Sequence, residues 1–121
     1  MGIRIDKHSG VPVYIQIMNQ IKKEIILGRM KEGDKLPPTR ELAKSLGVNI
    51  NTVLKAYERL QFEGVIQVKH GIGYFVAKNS FINNEVLNKI KELSQLLIVH
   101  KVDLLIAITI LEEVYKDAKK N

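Results

Sequence analysis

The chain has 121 residues and a formal charge of +6, and its 45% hydrophobic and 26% charged residues exclude a disordered chain. It has no cysteine, which excludes disulfides and thiolate metal sites and agrees with a reducing cytosol. Residues 1–14 hold no apolar run of signal-peptide length, and the longest apolar stretch, residues 104–111, is far shorter than the ~20 residues that span a bilayer, so we expect a soluble cytoplasmic protein with no membrane partner.

The first predicted element is a helix that follows an arm, residues 1–11, without a clear period. Between Pro12 and Gly28, apolar residues recur at spacings of three and four, at Tyr14, Ile17, Met18, Ile21, Ile25 and Ile26. Pro12 suits the first turn of a helix, where its missing N–H costs nothing, and Gly28 suits the position after the last turn. We interpret this element as a core helix that supports the rest of the fold.

Two further helices are predicted between residues 33 and 64. Residues 33–38, GDKLPP, form a turn and release the chain into a helix at about residues 39–46, which ends at Gly47. Thr39 or Pro38 begins this helix, and Thr39 is expected as its N-cap. Asn49 is expected to cap the next helix, residues 50–63, and Gly64 to close it. The short connection makes this pair a candidate helix–turn–helix.

The second of these helices has side chains suited to DNA recognition. Apolar residues at three- and four-residue intervals face the core, namely Val53, Ala56, Tyr57 and Leu60, so Asn51, Thr52 and Lys55 lie towards the opposite side. Asn can pair with adenine, Thr can touch a thymine methyl or a phosphate, and Lys can reach guanine or the backbone. An ordinary solvated face with a good N-cap is the alternative that the residues leave open.

A basic β-hairpin is predicted directly after these helices. Two short β-branched and aromatic runs, residues 65–69 and 74–77, are joined by a turn with two glycines, Gly71 and Gly73. Glycine permits positive φ and a close approach to a phosphate or a groove floor, and Lys69 and His70 place donors there. Two helices followed by such a hairpin, the wing, are typical of a winged helix.

The distribution of charge agrees with a nucleic-acid partner for this half of the chain. Residues 1–78 contain 13 Lys and Arg against 7 Asp and Glu, whereas residues 79–121 contain 6 of each. The excess positive charge, which attracts polyanions, therefore lies entirely on the predicted winged helix.

The last third of the chain predicts two helices that need a partner. An apolar stripe runs over residues 84–99, His100 and Lys101 break it, and a second helix begins at Lys101 or Asp103 and ends near residue 119. Residues 104–111 leave almost no polar face, and one helix of the same chain cannot cover a helix that is apolar all round. We therefore expect a homodimer, with Leu93, Leu97, Leu104, Ile108 and Leu111 in the interface. A β-strand over residues 106–110 is the alternative.

Five blocks between residues 12 and 77 resemble the DNA-binding domain of the GntR family of bacterial transcription regulators: PVYIQI, IILGRMKEGDKLP, TRELAKSLGV, NTVLKAYERLQFEGVI and HGIGYFV. The resemblance implies that Arg40 contacts the DNA backbone or a base. It implies that the wing tip, at His70 and Gly71, approaches the minor groove. It also implies a recognition-helix start at Asn49, Ile50, Asn51 and Thr52, with Lys55 one turn on.

The chain departs from the family pattern at two positions. Pro38 stands where the family commonly has a capping Ser, so Thr39 is expected to take over the cap. Ile50 stands where many members have Arg, so we expect it to read a thymine methyl instead. The short C-terminal part is similar to that of the YtrA-like subfamily, in which two helices serve for dimerisation and whose members often regulate membrane-transport genes.

The predicted fold is mainly α, with an N-terminal winged helix–turn–helix of three helices and a two-stranded wing over residues 1–78, then a C-terminal two-helix dimerisation hairpin over residues 79–121. The predicted function is that of a sequence-specific transcription regulator, a dimeric repressor that reads an inverted repeat in double-stranded DNA. A winged helix that binds a protein is the alternative. We expect no enzyme, metal or cofactor, since the three histidines are scattered and no phosphate-cradling motif occurs. Whether a small-molecule effector binds is open.

Overall fold

The computed structural model describes residues 2–78 and 83–120. The chain divides into two compact units between residues 82 and 83. The end of the expected first domain adjoins residues 79–82, which lie outside the described residues. In chain order the elements are α1 (Val13–Ile26), α2 (Thr39–Leu46), α3 (Ile50–Phe62), β1 (Ile66–Lys69), β2 (Gly73–Val76), α4 (Asn84–Val99) and α5 (Leu104–Lys119).

The core of the first unit lies between its three helices and the hairpin. The apolar stripe predicted for the first helix is confirmed, since Ile17, Ile21 and Ile25 of α1 are buried. They pack in one cluster with Leu42 and Ala43 of α2, with Ile66 and Val76 of the hairpin, and with Val53, Ala56, Tyr57 and Leu60 of α3. Burial of this face of α3 confirms its predicted orientation and leaves the opposite face exposed.

Local capping signals fix the ends of α2 and α3. Asn49 is the N-cap of α3, as predicted, and its Oδ1 accepts a hydrogen bond of 2.7 Å from the backbone N–H of Asn51. Gly47 ends α2 in the left-handed conformation with φ of 66°. The expectation that Thr39 caps α2 is wrong. Pro38 has the extended backbone of an N-cap and its carbonyl accepts from Leu42 N, so Thr39 is the first helical residue, and no side chain caps this helix.

The wing is an antiparallel pair with a short third partner. Lys69 pairs with Gly73 next to the turn, and Ile66 pairs with Val76 at the base. Lys35 adds an isolated bridge to the outer edge of β2, opposite Phe75. Because Lys35 lies just before α2, this bridge ties the hairpin to the helix–turn–helix.

The N-terminal arm is ordered against α1, although its sequence has no clear period. Ile3 and Ile5 pack against the core. Three alternate arm residues donate their backbone N–H groups to side chains spaced one helical turn apart along α1: Asp6 to Gln16, Arg4 to Gln20 and Gly2 to Glu24. Two extended residues advance ~6.6 Å and four helical residues 6 Å, so the spacings of strand and helix agree.

In the second unit both predicted elements are helices, so the β-strand alternative for residues 106–110 is wrong. The break is a turn in which Lys101 has φ of 56° and Val102 N donates to the carbonyl of Leu97. Nearly every apolar side chain of α4 and α5 is exposed. Among residues 2–78 and 83–120, no helix is both long and apolar enough to cross a membrane.

Candidate nucleic-acid interface

The first turn of α3 separates the roles of two asparagines. Asn49 uses one lone pair of its side-chain oxygen to cap the helix, which holds this amide against the start of α3 and restricts it for bidentate pairing with adenine. Asn51 is exposed, and its side chain makes no hydrogen bond within the described residues. Bidentate pairing with adenine needs both the oxygen and the nitrogen of the amide. Asn51 is therefore the asparagine that is free to read a base.

The other predicted residues of α3 differ in how much of each side chain is available. Ile50 is half-buried and packs against the core, so only part of it could meet a thymine methyl. Thr52 is also half-buried. Lys55 is exposed, and its ammonium lies 4.1 Å from the ring centre of Tyr14 on α1. This cation–π contact restricts an otherwise flexible side chain to one side of α3.

The start of α2 contributes a long cation. Arg40 is exposed and forms no ion pair with any carboxylate of residues 2–78 and 83–120, while Thr39 beside it is half-buried. The turn between α2 and α3 is held from the arm, where Lys7 Nζ donates to the carbonyl of Gly47 at 2.8 Å. The arm thus helps to fix the angle between the two helices.

The wing tip presents backbone and two donors. Lys69, His70 and Gly71 are all exposed, and Gly71 has φ of 77°, a conformation that favours glycine. Lys69 Nζ lies 4.6 Å from the ring centre of Phe75. A cavity of about 340 Å³ separates this tip from the start of α2, and its lining residues include Lys35, Thr39, Lys69, His70 and Gly71.

A buried tyrosine on the core side of α3 contacts both the turn before α2 and the wing. Tyr57 is fully buried, and its hydroxyl donates a hydrogen bond of 2.7 Å to the carbonyl of Pro37, in the turn before α2. Its ring meets Tyr74 of the wing edge-on, with centroids 4.9 Å apart. Burial raises the pKa of Tyr57 far above the ordinary value of 10.0, so the phenol is neutral at physiological pH.

Sequence reasoning missed Tyr14, Lys7 and Lys35. Tyr14 packs against the core, as its place in the stripe of the first helix predicts, but it is only half-buried and its ring also contacts Lys55. Lys7 and Lys35 stand in segments without periodicity, and each is positioned by a backbone group distant in sequence. The signal that the sequence offers for these two lysines is only that each is a basic residue in a predicted arm or turn. Within the described ranges, no three His, Asp or Glu side chains are grouped so that they could hold a metal ion.

The predicted dimer residues occupy two faces of the second unit. Leu93, Leu97 and Leu111 line an apolar cleft of about 190 Å³ between α4 and α5. Leu104 and Ile108 lie outside this cleft, with 67% and 43% of their surfaces exposed. Both faces therefore remain available to another molecule.

Residues 13–76 match the bacterial regulatory proteins of the gntR family. The chain is 46% identical over 78 residues to the HTH-type transcriptional repressor YtrA of Bacillus subtilis (strain 168), across 64% of this chain and 60% of that protein. It is similar to the solved structure of YtrA from Sulfolobus acidocaldarius, a GntR-family transcription factor, with 43% identity, a TM-score of 0.62 and coverage of 77% of this chain and 96% of that one. It also resembles AraR(DBD) solved in complex with operator ORX1, with 28% identity, a TM-score of 0.57 and coverage of 64% and 96%.

Proposed function

Because the chain belongs to the gntR family of bacterial regulatory proteins, which are DNA-binding transcription regulators and not enzymes, we propose that it is a dimeric repressor that reads an inverted-repeat operator. The part aligned with the Bacillus subtilis repressor is less than two thirds of that protein, so the assignment of repression to this chain belongs to the proposal. Control of membrane-transport genes is the target class that the YtrA-like resemblance favours.

The observation that carries the proposal is the exposed Asn51 in the first turn of α3, together with Arg40 and Lys55, which are exposed and form no ion pair among residues 2–78 and 83–120. Asn51 is free to pair with a base, and Arg40 is exposed at the start of α2. In our proposal Asn51 reads adenine, Thr52 and Ile50 make smaller contacts in the major groove, and Arg40 binds a phosphate.

The remaining predicted residues take supporting roles in the same proposal. Asn49 fixes the start of α3 and offers its amide nitrogen to DNA, while Thr39 lies beside Arg40 at the phosphate backbone. Lys55 reaches the DNA from the side of Tyr14. The wing tip, with Lys69, His70 and Gly71, enters the adjacent minor groove.

Dimerisation is proposed because the apolar faces of α4 and α5 lack cover within their own unit. Exposed apolar patches of this kind mark interaction surfaces, and specific interfaces bury ~800 Å² per partner. A second copy of Leu93, Leu97, Leu104, Ile108 and Leu111 is self-complementary across a two-fold axis. Two recognition helices related by that axis would bind two half-sites, and their linkage would raise the affinity through effective concentration.

Selection of binding sites from random duplex DNA by the purified chain tests the proposal. We expect an enriched inverted repeat whose affinity falls steeply with salt concentration. Arg40→Ala should weaken binding to all sequences, whereas Asn51→Ala should relax one base position. No enrichment, or an unchanged preference in both variants, would overturn the assignment of this face to DNA.

The dimer is tested separately by sedimentation of two matched variants of α5. Ile108→Asp places a charge on the proposed interface and should yield monomers with much weaker operator binding. Thr109→Asp places the same charge on the next residue, which lies near Glu112 and Glu113, and should leave the dimer intact. Equal behaviour of the two variants would contradict the proposed interface.

A further inference from the structure

A lysine outside the predicted DNA contacts is fixed on the wing by backbone pairing. Lys35 bridges to Phe75 on the outer edge of β2. Its neighbours hold that edge, because Leu36 N donates to the Tyr74 carbonyl at 2.8 Å and Val76 N donates to the Asp34 carbonyl at 2.9 Å. The position of the Lys35 backbone is therefore set by the hairpin itself.

The register of the sheet puts Lys35 on the same face as Lys69. Residues paired directly across strands share a face, as do residues two apart along a strand. Phe75 faces Lys35 across one edge, and Gly73, two residues before Phe75, is paired with Lys69. Val76 lies on the other face, in the core. The two lysines thus project from the outer face of the wing.

Gly73 has no side chain, and this leaves space for the Lys35 side chain to cross β2. A Cβ atom at this position would lie 2.9 Å from Lys35 Cε and 3.7 Å from its Nζ. The Lys35 ammonium is therefore directed over Gly73, towards the strand of Lys69. Neither Lys35 nor Lys69 forms an ion pair in the part of the chain that the structure describes.

Two cations on one face with no carboxylate partner among the described residues attract an anion that can lie beside both of them. Both lysines line the cavity of about 340 Å³ between the wing tip and the start of α2, together with His70. We propose that a phosphate of the DNA backbone binds on this face of the wing, and that Lys35 is its second cation beside Lys69. An ammonium group is a compact point charge that suits a phosphate and does not distinguish bases. The inference rests on the proposed function, because it assumes that the wing lies along DNA.

Lys35→Gln tests the inference, since it removes the charge and leaves the backbone bridge in place. Binding of the full chain to a duplex with the selected site is measured by fluorescence anisotropy from about 50 to 200 mM salt, and each lost phosphate contact should lower the slope of log K against log salt by ~0.9. Affinity for a scrambled duplex should fall by the same factor, because a phosphate carries no sequence. Lys91→Gln, which removes an exposed lysine of α4, is the matched control and should keep the wild-type slope.

The outcomes separate this inference from the proposed function. If the wild type selects a site and Lys35→Gln keeps its slope, the Lys35 contact is refuted and DNA binding stands. If Lys35→Gln weakens only the selected duplex, Lys35 reads a base and the phosphate role is refuted. If the wild type binds no DNA, both proposals fail. A slope lowered in Lys35→Gln and restored in Lys35→Arg would establish the contact.

Discussion

Removing one oxygen from Tyr57 should measure how strongly the recognition helix is tied to the turn before α2. Tyr57 is fully buried on α3, and its hydroxyl donates to the Pro37 carbonyl at 2.7 Å. Tyr57→Phe keeps the ring and its edge-on contact with Tyr74, so the apolar burial is unchanged. The variant leaves a half-buried carbonyl without its donor, which costs about 1–3 kcal/mol of the free energy of unfolding.

The matched control is Tyr74→Phe, the other ring of the same pair. The Tyr74 hydroxyl makes no hydrogen bond to any described residue, so this variant should stay within ~0.5 kcal/mol of wild type. Urea unfolding followed by circular dichroism, at one fixed protein concentration, measures both. If the two variants lose equally little stability, the hydrogen bond to Pro37 does not hold α3 and the reasoning is refuted.

The same variant predicts a difference at alkaline pH. Burial raises the pKa of Tyr57 above 10.0, so the folded state keeps the phenol protonated where the unfolded state ionises. The stability linked to this group is therefore complete below pH ~10 and is lost as pH rises, at up to ~1.4 kcal/mol per pH unit. Wild type should lose stability above pH ~10 more steeply than Tyr57→Phe, and parallel curves would contradict the shifted pKa.

Three further variants test the stability of the fold at acid pH, the N-cap of α3 and the contact between Lys55 and Tyr14. Burial alone would raise the pKa of Glu24, but its hydrogen bonds and the charge of Arg29 lower the pKa below 4.5 overall. The stability linked to this carboxylate is therefore lost as pH falls below that value. In Glu24→Gln, the urea concentration at the unfolding midpoint should depend less on pH in the acid range. Asn49→Ala should lose about 1 kcal/mol on thermal unfolding, whereas Asn49→Asp keeps the cap. Tyr14→Leu should weaken DNA binding by ~0.5–1 kcal/mol, the value of an exposed cation–π contact, whereas Tyr14→Phe keeps a ring and should bind like wild type. In a Lys55→Ala background, Tyr14→Leu should cause no further loss.

The sequence predicts the helices well because their signals are local. Gly47 and Asn49 mark the connection between α2 and α3, and both lie where capping chemistry requires them. The cap of α2 was predicted wrongly for a local reason too. Thr39 has a capping side chain, but Pro38 already has the extended backbone that an N-cap needs, so the helix begins one residue earlier than that cap allows.

The contacts that sequence reasoning missed join side chains to distant backbone groups. Gln16 and Gln20 hold the arm by its N–H groups, and any residue but proline would offer the same donor. Lys7 likewise binds a carbonyl, that of Gly47, 40 residues away. Because the backbone partner leaves no trace in residue type, neither periodicity nor composition can indicate these contacts.

The different roles that we propose for Asn49 and Asn51 follow from the hydrogen bonds that their side chains make. The cap holds the Asn49 amide in one orientation, so in our proposal Asn49 acts on DNA chiefly through the direction of α3, and Asn51 reads the base. That direction depends in turn on groups behind the helix: the Tyr57 hydroxyl on Pro37, and the arm lysine on the turn. Specific contacts tolerate only small displacements of the side chain that reads the base. General attraction to DNA depends on exposed charge and survives a small rotation of the helix. Loss of either support should therefore reduce discrimination between sequences more than it reduces the affinity for DNA in general.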